Sequence, residues 1–266
     1  MKKLLIVIVT LAVSLSAGAW SRNVDKGVLL LASKSLTPKA QRTLTNYIGE
    51  DHSKPAGHLA WHRKNGRHLE TEGWHTLHIN NELQPSAQDE NDALVQIEKA
   101  LEIVKNRKKY SKAEVSFAIQ TVMNLVIDMH NLSNVALEKY PLSGTDFKFN
   151  TTKGTAGGKK ATVYQTSWKV LWTHRYPYFH GAGSYSPQMW VDEIEVMFGD
   201  RKAELEAGTL RDWAHDIGKY SDHIYSLLVK DDGFYHATIH SYDIFHMSCV
   251  AKAGYRLGAL LNQYLN

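Results

Sequence analysis

Cysteine is nearly missing from this chain. Cys249 is the only one, so no disulfide can close within it. That suits a bacterial periplasm, where disulfides are permitted but not required. Long apolar runs are missing too, because no stretch reaches the ~20 apolar residues of a membrane-crossing helix. An excess of one charge is also lacking: 31 basic residues stand against 27 acidic, a formal net charge of +4. Proteins that wrap duplex nucleic acid carry a larger basic footprint, so any nucleic-acid or lipid contact has to be local. Repeats, linkers and low-complexity tails are absent as well. With 43% hydrophobic residues, the chain has material for a sizeable core.

What is present begins at the N-terminus. Lys2 and Lys3 precede an apolar run from Leu4 to Leu15, and Ala17-Gly18-Ala19 has the small-x-small form of a signal cleavage site. The run is too short to span a bilayer, so residues 1–19 are expected to be a signal peptide and residues 20–266 the mature domain. Removing 1–19 from 266 leaves 247 residues, and losing Lys2 and Lys3 brings the charge near +2. The residue directly after the cleavage site is Trp20 and not a cysteine, which excludes a diacylglyceryl lipoprotein. Secretion, or residence in a bacterial periplasm, follows as an expectation. Cleavage after Ala19 would free an α-amine on Trp20. Such an amine titrates near about pH 8, so part of it is neutral and able to ligate a metal. Equally, Trp20 is simply the residue behind the cut.

The apolar periodicity beyond it is mostly helical. Val28 to Leu31 forms an apolar run, Thr37-Pro38 reads as N-cap and first helical residue, and Gly49 closes that helix. Over 91–106, Leu94, Ile97, Leu101 and Val104 share a stripe. Ser111 and Glu114 form a capping box ahead of Val115, Ala118, Ile119, Val122, Met123, Val126 and Ile127. A Gly/Lys-rich loop at 150–160 is expected to join short strands at Asp146–Asn150 and Thr162–Thr166. Further helices are expected near 187–198, 209–230 and 238–264. The fold class is mainly α, in one domain with a small β-hairpin.

Two polar clusters stand out. Asn124, Asp128 and Asn131, at i, i+4 and i+7, share one face of an otherwise apolar helix. A carboxylate there must be paired or bound to a cation. The same pattern also fits a helix-packing hydrogen-bond network. Residues 52–78 hold His52, His58, His62, His68, His75 and His78, of which His58/His62 and His75/His78 have spacings usable for metal. Loop histidines without a metal are the commoner reading.

Together these segments resemble the secreted zinc nucleases of the S1/P1 family, which are related to bacterial zinc phospholipase C. The resemblance runs through most of the mature chain: Trp20 at its start, Leu36-Thr37-Pro38-Lys39-Ala40, Trp61-His62-Arg63, and Trp74 to Asn80. It continues with Asn124 to Asn134, Ser167 to Thr173, Asp212-Trp213-Ala214 and Ala253 to Asn262. It implies a helical zinc phospholipase C-type domain and an expectation of three zinc ions on nine residues. Position by position, Trp20, His78 and Asp128 keep the family's identity, Asp128 as the catalytic carboxylate bridging two metals. Six positions differ. A family His falls at Asp25, an Asp at Arg63, two His at Asn124 and Asn134, and the last His and Asp at Lys169 and Thr173. The Asn of a family Gly-Gly-Asn segment falls at Thr145.

These departures matter chemically. Asparagine and threonine are poor zinc ligands beside imidazole or carboxylate. Lys169 places a cation where a zinc belongs. At about 4 Å and an effective dielectric near 20, one unit-charge repulsion is about 4 kcal/mol, and a divalent ion roughly doubles it. A remnant of Trp20, Asp25, His78 and Asp128 would hold at most one zinc, or another divalent ion, with His62 or His75 able to fill the gap at Arg63. The expected function is a secreted nuclease-like protein with a largely degenerate site, a pseudoenzyme whose Arg63 and Lys169 hold an anionic or phosphorylated ligand directly. The alternative is an active metal-dependent nuclease or phosphodiesterase with a reduced or rebuilt metal site. It would act on single-stranded nucleic acid or nucleotides, with Trp168, Trp172, Tyr176 and Tyr178 as base-stacking surfaces or as core. A third reading is a periplasmic protein that binds a partner through an outer surface.

Overall fold

The fold is that of a computed structural model, which describes residues 20–86, 90–140, 143, 148–153, 162–175, 184–230 and 242–266. The expected signal peptide and Thr145, Tyr176 and Tyr178 lie outside the described residues, as does most of the Gly/Lys loop.

The described chain is mainly helical, with one shared hydrophobic core. Helix α1 (Arg22–Lys34) buries Val24, Val28, Leu31 and Ala32 along one face. In α2 (Pro38–Ile48), Thr37 accepts from Ala40 N, Pro38 takes the first turn, and Gly49 ends the helix at φ 87°. Helix α3 (His58–Lys64) is short and leads into a 3-10 turn, Leu69–His75. Asp92 caps α4 (Ala93–Lys105) through Leu94 N and Val95 N. The Ser111/Glu114 capping box forms as expected at the start of α5 (Lys112–His130).

α5 is the central element. Every residue from Thr121 to His130 is buried, so this half of the helix has no solvent face. Its polar residues therefore need partners inside the protein. α4 packs along α5. α1 packs on α7 (Pro187–Phe198) and α10 (Asp243–Leu265), and α10 also packs on α5. Two glycines set the closest approaches. A Cβ on Gly254 would stand 2.5 Å from Leu31 Cδ2, and one on Gly27 would stand 2.7 Å from Trp190 Cβ. Helix α8 (Lys202–Glu206) leads to α9 (Leu210–Lys230), where Thr209 and Asp212 exchange bonds at the N-terminus.

Strands β3 (Lys148–Lys153) and β4 (Thr162–Ser167) form the expected antiparallel hairpin, with Lys148 opposite Ser167. β3 runs to Lys153, past the expected end at Asn150, and β4 to Ser167, past Thr166, while Asp146 and Phe147 of the expected first strand lie outside the described residues. A second pair, β1 (Leu77–Ile79) and β2 (Val135–Leu137), is parallel and was not foreseen, since three residues are too few to show a period-2 pattern. It matters for the site. β2 follows α5 through the turn Leu132–Asn134, so pairing with β1 sets residues 75–79 beside the end of α5. After β4, Ser167 caps α6 (Trp168–Val170), which widens into a π turn at Leu171–Arg175. Among the described residues no helix is long and apolar enough to cross a membrane. Cys249 is buried, and burial pushes its thiol up to about 12, which leaves it inert.

Candidate functional site

One buried polar cluster joins the start of α1, the C-terminal end of α5, the turn before β1 and the end of α3. The Trp20 backbone N donates to Asp25 Oδ1 at 3.1 Å. Asp25 is buried, and burial first, then the charge of Asp128, raises its carboxyl well above the ordinary value. Asp128 Oδ2 lies 2.5 Å from His75 Nδ1, and His75 Nε2 lies 2.7 Å from Arg63 Nη1. A guanidinium can only donate, so His75 Nε2 must accept and the ring proton must sit on Nδ1, aimed at Asp128. Arg63 Nη1 also donates to the Thr71 carbonyl at 3.2 Å and to Thr71 Oγ1 at 3.0 Å. Burial lowers the Arg63 guanidinium, while Asp128 and Glu72 oppose the shift. The result is a relay of Arg63, His75 and Asp128, with Asp25 as a second buried carboxyl beside it.

Trp20, Asp25, Asp128 and Arg63 are thus brought together. His78 is held by a different carboxylate. Its backbone N and its Nδ1 lie 2.7 Å and 3.0 Å from Asp92 Oδ2. Asp92 Oδ1 meanwhile caps α4, so this carboxylate ties β1 to that helix. The residue that meets Asp128 is His75, one of the two histidines able to fill the gap at Arg63; His62 stays in a separate cluster with His58 and His68.

The substituted ligand positions are occupied with the protein's own groups. Asn124 Nδ2 donates to the Pro55 carbonyl at 2.8 Å and to the Gln120 carbonyl at 2.9 Å. Asn134 Nδ2 donates to the Asp128 carbonyl at 3.4 Å. Thr173 Oγ1 donates to the Lys169 carbonyl at 2.5 Å. Asn131, third on the polar face of α5, accepts from Ser133 N and Oγ at 2.9 and 2.7 Å. Lys169 is half-buried on α6. Two neutral amides and a hydroxyl, each turned onto a carbonyl, do not make the donor set of a three-zinc centre. Among the described residues, no three His, Cys, Asp or Glu converge on a common point. Trp168 and Trp172 are fully buried and pack on each other at 4.9 Å with their rings tilted by 35°, and His246 lies 5.1 Å from Trp172 and 6.1 Å from Trp20. They are core, and they wall the Trp20 side of the site.

A second buried network was not legible in the sequence. His130 Nδ1 donates to the Val126 carbonyl at 2.7 Å, which leaves Nε2 to accept from Arg256 Nη1 at 3.1 Å. Burial first, then Arg256, pushes His130 down to about 3, so the ring is neutral. Arg256 Nη2 and Lys252 Nζ both reach Asp216 Oδ2, at 2.6 and 2.7 Å. Burial raises the Asp216 carboxyl, and the hydrogen bonds from the two cations outweigh it, so it is lowered overall. Lys252 and Arg256 lie one turn apart on α10, and only that i, i+4 spacing hinted at a shared partner. The network locks α5, α9 and α10 together and offers no chemistry to a substrate. Against known proteins, the chain matches no family model and no curated protein.

Proposed function

We propose that this is a secreted protein of the S1/P1 nuclease type whose phosphodiesterase centre has closed on internal bonds and no longer hydrolyses phosphodiesters. The observation that carries the reading is the partner of Asp128. The carboxylate expected to bridge two metals accepts instead from His75, which is backed by Arg63. A guanidinium now occupies the position where the resemblance places a zinc-binding Asp. Export with cleavage after Ala19 fits the same picture. It would put an α-ammonium 3.1 Å from Asp25 Oδ1, a second cation in place of a metal. Arg63 and Lys169 are the cations this reading assigns to an anionic or phosphorylated ligand, and Arg63 already commits Nη1 inward to Thr71 and His75.

One observation favours the alternative, a phosphodiesterase with a reduced metal site. Asp25 and Asp128 are two buried carboxylates close enough for one to raise the other, and a divalent cation binds such pairs. The deciding experiment uses the chain beginning at Trp20, with any tag at the C-terminus. Cleavage of single-stranded DNA with added zinc is measured for this chain and for Asn124→His/Asn134→His/Lys169→His/Thr173→Asp. No cleavage by the native sequence, with cleavage gained by the variant, is the expected result. Cleavage by the native sequence that disappears in Asp128→Asn would overturn the proposal.

A further inference from the structure

His58 and His62 lie one turn apart on α3, and His68 follows in the loop after it. Their rings touch. The His58 and His62 centroids are 4.3 Å apart, and those of His62 and His68 are 5.0 Å apart. Two imidazoles that share a tetrahedral zinc at about 2.1 Å stand with their ring centres roughly 5 Å apart, which is close to this ring spacing, although the nitrogens as they stand do not converge on one point. The donor atoms are in the opposite state from those around Asp128. His58 Nε2 and His62 Nδ1 are both buried with no hydrogen-bond partner. Such orphaned buried nitrogens are rare and call for an explanation.

The third ring is prepared differently. His68 Nδ1 lies 3.0 Å from Glu70 Oε1, the carboxylate–histidine arrangement that orients metal-bound rings and leaves Nε2 outward. Its backbone is left-handed, φ 50° and ψ 46°, an uncommon conformation for a residue other than glycine. Phe117 stacks on His68 at 3.9 Å and lies 6.0 and 5.8 Å from His58 and His62. This apolar wall disfavours charge on the rings. The cluster is also reachable, since the His68 side chain is 39% exposed.

We propose that His58, His62 and His68 form a binding site for one borderline divalent cation, zinc, with an open fourth position for water. The rings now pack edge to face, and rotation about their outer torsions is required to aim three nitrogens at one ion. The site does not depend on the state of the Asp25/Asp128 cluster.

The test is zinc binding by the chain beginning at Trp20, read as metal per chain by elemental analysis and as affinity by competition with a chromogenic chelator. One zinc per chain is expected. Its affinity should fall about 10-fold or more in His58→Gln and in His62→Gln, and hold in Asp128→Asn. X-ray absorption of the zinc-loaded native chain needs no variant and should show three imidazoles. No zinc, equal affinity in the histidine variants, or a carboxylate-rich shell would each overturn the inference. Zinc lost only in Asp128→Asn would overturn it and would also sink the metal-free reading of the deeper site.

Discussion

Replacing Asp25 with Asn removes one charge and keeps an oxygen to accept from Trp20 N. Burial and Asp128 hold the Asp25 carboxyl well above the ordinary 3.8, and the Trp20 hydrogen bond does not offset them. A carboxyl raised in the fold takes up a proton on folding. Its contribution to stability is complete below the ordinary value and is lost as pH rises through the folded value. Within that window the folded state holds up to one more proton than the unfolded state. Stability then falls by up to about 1.4 kcal/mol per pH unit from this group alone. The Asp25→Asn chain has no such slope. Its stability relative to the native chain should climb from the ordinary carboxylate range upward and level off above the folded pKa. Urea unfolding of both chains across that range, with a chelator present, gives the difference curve, in which other titrating groups largely cancel. A flat difference curve would refute the reasoning. The N-terminus sharpens the test. A chain starting at Trp20 would hold an ammonium against Asp25 and keep it ionised, so its slope should be shallower than that of a chain with one residue ahead of Trp20.

Two further substitutions probe the framework around the site. Asp92→Ala should cost about 1 kcal/mol for the lost cap of α4 and about 1–3 kcal/mol more for leaving His78 N–H unpaired, measured as a fall in denaturant stability. A loss well under the first figure would show that β1 is not tied to α4 through this carboxylate. Arg256→Met should cost about 3–5 kcal/mol, because it strips partners from Asp216, from His130 Nε2 and from the Leu205 carbonyl at once. Stability within about 1 kcal/mol of the native chain would contradict a shared buried network.

The capped helices were legible because their signals are local. Thr37-Pro38 and the Ser111/Glu114 box each act within one turn, and the stripe from Val115 to Ile127 needs only the helical period. The polar face of Asn124, Asp128 and Asn131 was readable for the same reason, as was the need for those groups to find partners. Which partners they found depended on the tertiary structure. Nothing near Asp128 in sequence names His75, which lies 53 residues away and arrives through a parallel pairing of two three-residue strands. The turn of His78 toward Asp92 is set by the same strand, since alternate residues of a strand face opposite ways. The single cysteine, the charge balance and the helical periods were fixed by composition and order alone. The Arg63–His75–Asp128 relay and the His130–Arg256–Asp216 network were decided only when burial removed water and left each polar group to the nearest protein partner.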